Sequence, residues 1–384
     1  MPPLRPHRKT RTGCLQCRKR RVKCDESGHP CGNCAFRHVA CTYPSGTSPD
    51  ISQSSPVSPH TIQHAAQERP RQGQPLPTLD PSNKLLLELM HKFSTETCKS
   101  FFVGPPDLHI WQSVIPRRAL DHDFLLDALL SVAALHTASS SDRHAARPYL
   151  DAAMDFQSRG LKPFQNAIQN ISPENCDAVF VHSIITIVNG IVFPQIAAEV
   201  TEVDSSTVLE NIFTLFKLVQ GTAEISKLTK PWLQRSSLLP QDFWGSSSDS
   251  ILDTEIEQAL TRLRDLNRRE NGNSIYPERH GHIDIAISRL RQCFQRFFRF
   301  RDPASVVTWL AIVDREFVDY LHREEPLPIL VMVHWGVLLA ELDGEVWWAS
   351  KSGRALVADA LAILERSGVD FGIASSWARE KVGL

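Results

Sequence analysis

Six cysteines gathered between positions 14 and 41 constrain this 384-residue chain more than any other feature. They stand in the order C-x2-C-x6-C-x6-C-x2-C-x6-C, at Cys14, Cys17, Cys24, Cys31, Cys34 and Cys41. The pattern is two half-motifs of identical spacing, each opening on a CxxC. A cysteine pair at i, i+3 suits the first turn of a helix, where both sulfurs can face one ion and the helix N-terminus stabilises their charge. A third cysteine seven residues on completes three sulfurs per half. Two tetrahedral zinc ions need eight sulfur contacts, and six cysteines supply eight only if two of them bridge. The competing reading is a disulfide framework of a small secreted domain. The residues after Met1 are basic rather than apolar, so a leader peptide is not expected and the binuclear zinc cluster is.

Between the second and third cysteines runs Arg18-Lys19-Arg20-Arg21-Val22-Lys23. With that run, the stretch resembles the fungal binuclear zinc-cluster (Zn2Cys6) transcription factors. The resemblance implies that Cys14, Cys17, Cys24 and Cys31 hold one zinc and Cys31, Cys34, Cys41 and Cys14 the other, with Cys14 and Cys31 bridging. It implies a short helix over residues 14–23 whose end enters the major groove of double-stranded DNA. Arg18, Lys19, Arg20, Arg21 and Lys23 crowd that end. Arg20 and Arg21, third and fourth after the second cysteine, stand where the family touches a CGG triplet. Most relatives carry lysine where Arg21 stands; an arginine there can bind guanine O6 and N7 bidentately. Arg8, Lys9 and Arg11 are candidate phosphate contacts, which add affinity but no sequence information. The plainer reading of the run is a nuclear-import signal or solvated charge, and both roles can coexist. Pro30 directly precedes Cys31, whereas many relatives place a proline one residue earlier, so the loop joining the halves should differ in shape.

The net charge of −1 hides a division of charge. Residues 1–41 carry ten Lys or Arg and two Asp or Glu, a formal +8, and the remainder carries −9. Six thiolates and two zinc ions bring the N-terminal figure to +6. A compact basic module on an acidic body is the charge signature of a polyanion binder. No G-x-S-x-G, H-E-x-x-H, P-loop or G-x-G-x-x-G occurs, so no enzyme is expected. With all zinc positions filled by sulfur, the metal is structural. Cys98, Cys176 and Cys293 lie far apart and read as buried apolar thiols. Two uncharged runs, residues 178–193 and 327–340, fall short of the roughly 18–20 apolar residues that a membrane span needs, so core segments and no membrane are expected.

Residues 1–13 read as a basic disordered arm and 14–43 as the zinc module. Residues 44–81 hold eight prolines among Ser, Gln and Thr and read as a disordered linker. No a/d heptad follows the cluster, so a coiled-coil dimer is not expected. Residues 82–384 have the composition of an all-α domain. Ser82 is the expected cap of a helix through Leu85, Leu86, Leu89 and Phe93, and 120–136 is apolar nearly all round. Further helices are expected over 148–170, 178–193, 209–228, 253–269, 282–300, 303–320, 327–342 and 354–366. Asp121 and Asp123 read as helix N-terminal caps. His136, His182 and His334 read as satisfied core histidines, and Trp309, Trp335, Trp347 and Trp348 as core.

The order LLELMHKF, W-Q-x-V-I-P (residues 111–116), DHDFLLDALLSVAALH (121–136), FKLVQG (216–221) and VWW (346–348) is similar to the C-terminal regulatory domain of the sterol uptake control regulators. That resemblance implies a helical, dimer-forming sensor with an apolar pocket, and relatives that control sterol or secondary-metabolite genes. The fold expected is thus a small zinc-organised N-terminal module plus an all-α C-terminal regulatory domain, joined by a disordered linker. The function expected is a nuclear, sequence-specific regulator of RNA polymerase II genes, holding two structural Zn(2+) ions and binding double-stranded DNA. A homodimer through the helical domain and an apolar small-molecule effector are the further partners it implies. The alternative is a zinc-organised protein-interaction module with a helical dimerisation scaffold and no ligand.

Overall fold

The computed structural model describes residues 13–20, 22–26, 29–37, 39–44, 80–101, 108–201, 208–235, 251–271 and 277–384. Most of the basic arm and of the 44–81 segment, and with them Arg8, Lys9, Arg11 and Arg21, lies outside the described residues. The chain divides into two compact units, Met1–Leu76 and Pro77–Leu384. Among the described residues all regular structure is helical, with no strand.

In the first unit two short helices, α1 (Leu15–Lys19) and α2 (Gly32–Ala35), each start directly after a cysteine. The helix expected as far as Lys23 ends at Lys19. Arg20 closes it with its backbone N–H on the Gln16 and Arg18 carbonyls, and 22–26 is irregular. Among the described residues of this unit, the hydrophobic cluster consists of the six cysteines and the adjoining Tyr43. So small a hydrophobic centre cannot offset chain entropy alone, and the fold depends on its metal.

The second unit begins at α3 (Pro81–Thr95). Asp80, not Ser82, is its cap: the carboxylate accepts from the Ser82 N–H and hydroxyl, and Pro81 takes the first helical position, where its missing N–H costs nothing. A π-type turn at Ile110–Val114 runs into α4 (Ile115–Ala119). The centre is α5 (Asp123–Ser139), apolar on every face, with Leu125, Leu129, Val132, Ala133, Ala134 and Leu135 fully buried. Each buried leucine there contributes about 1.5–3 kcal/mol relative to exposure. Around it pack α3, α6 (Arg143–Gln169) and α7 (Cys176–Thr201), and α8 (Val208–Leu233) lies on α7.

A second layer contains α9 (Thr254–Asn271), α10 (Pro277–Phe300), α11 (Pro303–Ile312), α12 (Arg315–His322), α13 (Pro326–Ala340), α14 (Ser352–Ser367) and α15 (Ile373–Val382). Its centre is α13, buried from Leu327 to Leu339. Gly353 and Gly336 let α13 and α14 cross closely. A Cβ on Gly353 would lie 2.3 Å from the Ala340 nitrogen, and one on Gly336 would lie 2.8 Å from Val357 Cγ2.

Several expectations give way to local chemistry. The span 303–320 is two helices, because Val313 is extended and Asp314 starts a new one by accepting from the Phe317 N–H at 3.1 Å. The 148–170 helix starts five residues earlier, capped by Asp142 through His144 and Ala145, and Pro148 sits inside it. The 120–136 helix starts at Asp123, whose N-cap is His122. Asp121 pairs with Arg118 instead, at 3.5 Å, and no side chain makes the cap hydrogen bond. The 26-residue α7 extends beyond its uncharged run and is long and apolar enough to cross a membrane; its most apolar stretch is 61% buried within the fold, packed on α5, α6 and α8 as a core helix.

Candidate zinc centre and nucleic-acid interface

The two half-motifs fold alike. Cys14 and Cys31 are the N-caps of α1 and α2, with nearly equal backbone angles of φ −59°, ψ 154° and φ −65°, ψ 154°. The Cys14 N–H points at Cys24 Sγ at 3.4 Å, and the Cys31 N–H at Cys41 Sγ at 3.3 Å. The Val22 N–H donates to the Cys17 carbonyl at 3.1 Å, and the Val39 N–H to the Cys34 carbonyl at 3.2 Å. Every pair is related by a shift of 17 residues, so the repeat in the sequence is a repeat in the backbone. The backbone N–H groups that reach sulfur are the donors that lower a thiolate's energy without a competing charge.

The six sulfurs form two groups of four, Cys14, Cys17, Cys24, Cys31 and Cys14, Cys31, Cys34, Cys41. Within each group all sulfurs lie within 4.8 Å of one another, and Cys14 and Cys31 belong to both. Sγ–Sγ distances are 3.7 Å for Cys14–Cys31, Cys14–Cys34 and Cys17–Cys31. Zinc–sulfur bonds of about 2.3 Å in a tetrahedron place sulfurs about 3.8 Å apart, so the spacing fits zinc. It does not fit disulfides, whose sulfurs sit at about 2.05 Å, and all six cysteines are free.

The electrostatics say the same. Burial and the neighbouring sulfurs push the Cys17 thiol up to about 12 and raise Cys31 and Cys41. At Cys14 burial also opposes ionisation, but the Cys17 N–H and the adjacent thiols outweigh it and bring the group down to about 6. The raised thiols of Cys17, Cys31 and Cys41 keep their protons unless cations replace them. The two ions that suit the site are Zn(2+), held in full sulfur coordination, which makes the metal structural.

Other residues complete the module. Asn33 Nδ2 donates to the Lys23 carbonyl at 2.9 Å, tying the second half to the end of the basic run. The Tyr43 hydroxyl lies 3.7 Å from Cys24 Sγ, and burial beside that sulfur pushes its pKa up, so the phenol stays protonated more firmly than usual. Sequence reasoning missed both; the 17-residue repeat locates Asn33 next to Cys34, but nothing in its residue type announces the contact.

Of the basic candidates, Arg18, Lys19 and Lys23 are exposed and Arg20 is half-buried. The corresponding stretch of the second half, Ala35-Phe36-Arg37-His38-Val39-Ala40, carries one arginine where the first carries five cations. The backbone repeat is therefore not matched by charge, and only the first half offers a dense basic surface.

In the helical unit, Trp309, Trp335 and Trp348 are buried, and their indole N–H groups donate to the carbonyls of Ala286, Val306 and Ser100. Trp347 stacks on His136 with ring centres 4.4 Å apart and donates to Ser100 Oγ. His136 Nδ1 meets Thr97 Oγ1 at 2.8 Å, and His182 stacks on Phe164. His334 is satisfied on one side only: Nδ1 donates to the Leu330 carbonyl, while Nε2 is buried without a partner. Burial pushes all three histidines down to about 4. A depression of about 510 Å³ beside α9 is open to solvent, with Glu257, Gln258 and Arg262 among its lining beside Ile251 and Leu252. It lacks the closed apolar wall that a sterol-like ligand requires.

Comparison with known proteins agrees with this architecture. Residues 12–49 match the fungal Zn(2)-Cys(6) binuclear cluster domain, and residues 88–241 match the fungal specific transcription factor domain. With the two in this order, the chain belongs to the fungal Zn(2)-Cys(6) transcription factors, a family of regulators and not of enzymes. A Zn(2)-C6 fungal-type transcription factor of Gibberella zeae is 24% identical over 95% of this chain and 84% of its own length. The Zn(2)-C6 fungal-type transcription factor afumD of Aspergillus fumigatus is 32% identical over 48% of this chain, which spans 47% of that protein. Sterol uptake control protein 2 of Candida albicans is 36% identical over 20% of this chain and 12% of its own length.

Proposed function

We propose that the chain is a nuclear, sequence-specific regulator of RNA polymerase II genes whose zinc module, residues 14–43, reads a CGG-type triplet in double-stranded DNA. In this reading Cys14 and Cys31 bridge the two zinc ions, and Cys17, Cys24, Cys34 and Cys41 are terminal ligands. Arg18, Lys19, Arg21 and Lys23 face the DNA, Arg8, Lys9 and Arg11 bind phosphates ahead of the module, and Arg20 stands at the same end of α1. The observation that carries the reading is the contrast between a repeated backbone and an unrepeated charge: five cations on one half, one on the other. A zinc scaffold alone needs no such bias, whereas a groove-reading surface does.

The helical unit, residues 82–384, is the regulatory part of this protein. Its proposed work is to bring two copies together and to respond to an effector.

The test is binding of full-length, zinc-loaded protein to a duplex with the triplet and to one without it, across a range of salt. Affinity should fall steeply as salt rises, with a log–log slope of about −4 to −6 if five to seven cations meet phosphates, and the triplet duplex should bind more tightly at every salt. Equal affinity for both duplexes would instead favour a protein-interaction module with a basic face.

A further inference from the structure

Arg20 stands where the family places a base contact, but its guanidinium is turned to the metal centre. Nη2 lies 3.9 Å from Cys17 Sγ and 3.8 Å from Cys34 Sγ. Nε donates to the Gln16 carbonyl at 3.4 Å, and the side chain is half-buried. Cys17 falls in one group of four sulfurs and Cys34 in the other, and neither is shared. A single nitrogen thus touches one unshared sulfur from each zinc set.

We infer that Arg20 is a positioning residue of the zinc cluster, clamping the two ion sites together through their terminal sulfurs, and not a reader of bases. The inference rests on the zinc-cluster reading and refines its DNA interface. Two zinc ions and six thiolates carry a net charge of −2, held in a module with almost no other core. A fixed cation on the outer lone pairs of two thiolates offsets that charge and limits the sulfurs' motion. The donor inventory points the same way. Arginine reads guanine bidentately with two adjacent nitrogens, either both Nη or Nε with Nη2. Here Nη2 and Nε are both engaged, so each fork has lost a prong and only Nη1 remains. Arg20 is also the C-cap of α1. Holding it on the cluster fixes the direction in which the chain leaves the helix, and so the aim of Lys23 beyond it.

The test compares full-length, zinc-loaded wild type with Arg20→Gln, Arg20→Lys and Lys19→Gln. The first readout is the rate of zinc transfer to a coloured chelator in the absence of DNA. The second is affinity for the preferred duplex and for each single base-pair change in it. Arg20→Gln should surrender zinc about ten times faster than wild type, Arg20→Lys should fall between, and Lys19→Gln, which removes a DNA-facing charge, should release zinc at the wild-type rate while binding every duplex more weakly. Arg20→Gln should also weaken all duplexes by a common factor while keeping their order. Zinc transfer at the wild-type rate, with discrimination lost at one base pair, would overturn the inference and make Arg20 a reader. If Arg20→Gln loses its metal before it can be profiled, Arg20→Lys decides: an unchanged order of duplexes supports the clamp, and an order altered at one base pair refutes it. A wild-type protein that binds no zinc would fail at the first step and would contradict the cluster reading itself.

Discussion

Cys14 and Cys31 differ from the other four cluster cysteines in what their loss removes. Each lies in both sulfur groups, so each is expected to serve both ions. Cys14→Ala or Cys31→Ala should therefore release both zinc ions and unfold the module, whereas Cys41→Ala leaves one ion with four sulfurs. Zinc per chain, counted by native mass spectrometry, should drop from two toward none in the first pair and toward one in the third. Equal loss in all three would argue against bridging. A second prediction at this scale concerns His334. Burial holds it neutral, with its proton affinity down at about 4 against an ordinary value of 6.5. Between those values the unfolded chain binds a proton that the folded chain does not. Stability is therefore fully present above pH 6.5 and declines as pH falls toward 4, with a slope approaching about 1.4 kcal/mol per pH unit for this group. His136 and His182 act in the same direction. Urea unfolding of the helical unit from pH 7 to 4.5 measures the decline, and His334→Gln should flatten it. An unchanged slope in that variant would mean that another group carries the protons.

At the scale of elements, the tightest constraint is the crossing of α13 and α14. Gly353→Ala would drive a methyl group against the Ala340 backbone at 2.3 Å, and no flexible side chain is there to yield. The helices must separate, at a cost of about 3 kcal/mol, which should appear as a lower denaturant midpoint. Gly221→Ala, with nothing within 4 Å of the added carbon, is the control that should leave the midpoint unchanged or raise it. The limits of sequence reading lie at this scale too. The helices themselves were legible because α5 and α13 are apolar nearly all round and α6, α9 and α10 carry a helical apolar period. Their ends were not. Pro148 reads as a first helical residue, but Asp142 offers a better cap and the helix absorbs the proline. The run 303–320 reads as continuous because its apolar period survives the break at Val313, and only the Asp314 side chain on the Phe317 N–H reveals the second start. Short elements such as Thr97–Phe101 and α15 carry too few turns to give a period, and tertiary contacts fix them instead, as when Trp347 and Trp348 bond to Ser100. In the zinc centre the spacing required two bridging cysteines without saying which, and the two sulfur groups came from the family resemblance carried by the cysteines and the basic run. The orientation of Arg20 was hidden, because an arginine beside a thiolate and one beside a guanine look the same in a sequence.

For the whole molecule, the first 41 residues, which hold the zinc cysteines, carry a formal +8 before metal is counted, and the remaining residues carry −9. That division favours the first stretch as the one that meets a phosphate backbone, and in the proposed reading sequence recognition is its task and regulation that of the helical unit. In the proposed reading the first half of the zinc cluster reads a specific triplet. The measurement that tests it most directly is selection of bound duplexes from random DNA by full-length, zinc-loaded protein. Enrichment of a CGG-type triplet is expected, lost when Arg21 is replaced by alanine and retained, at lower affinity, when Arg20 is replaced by lysine. Recovery of no sequence above background by protein with two zinc ions bound would contradict it.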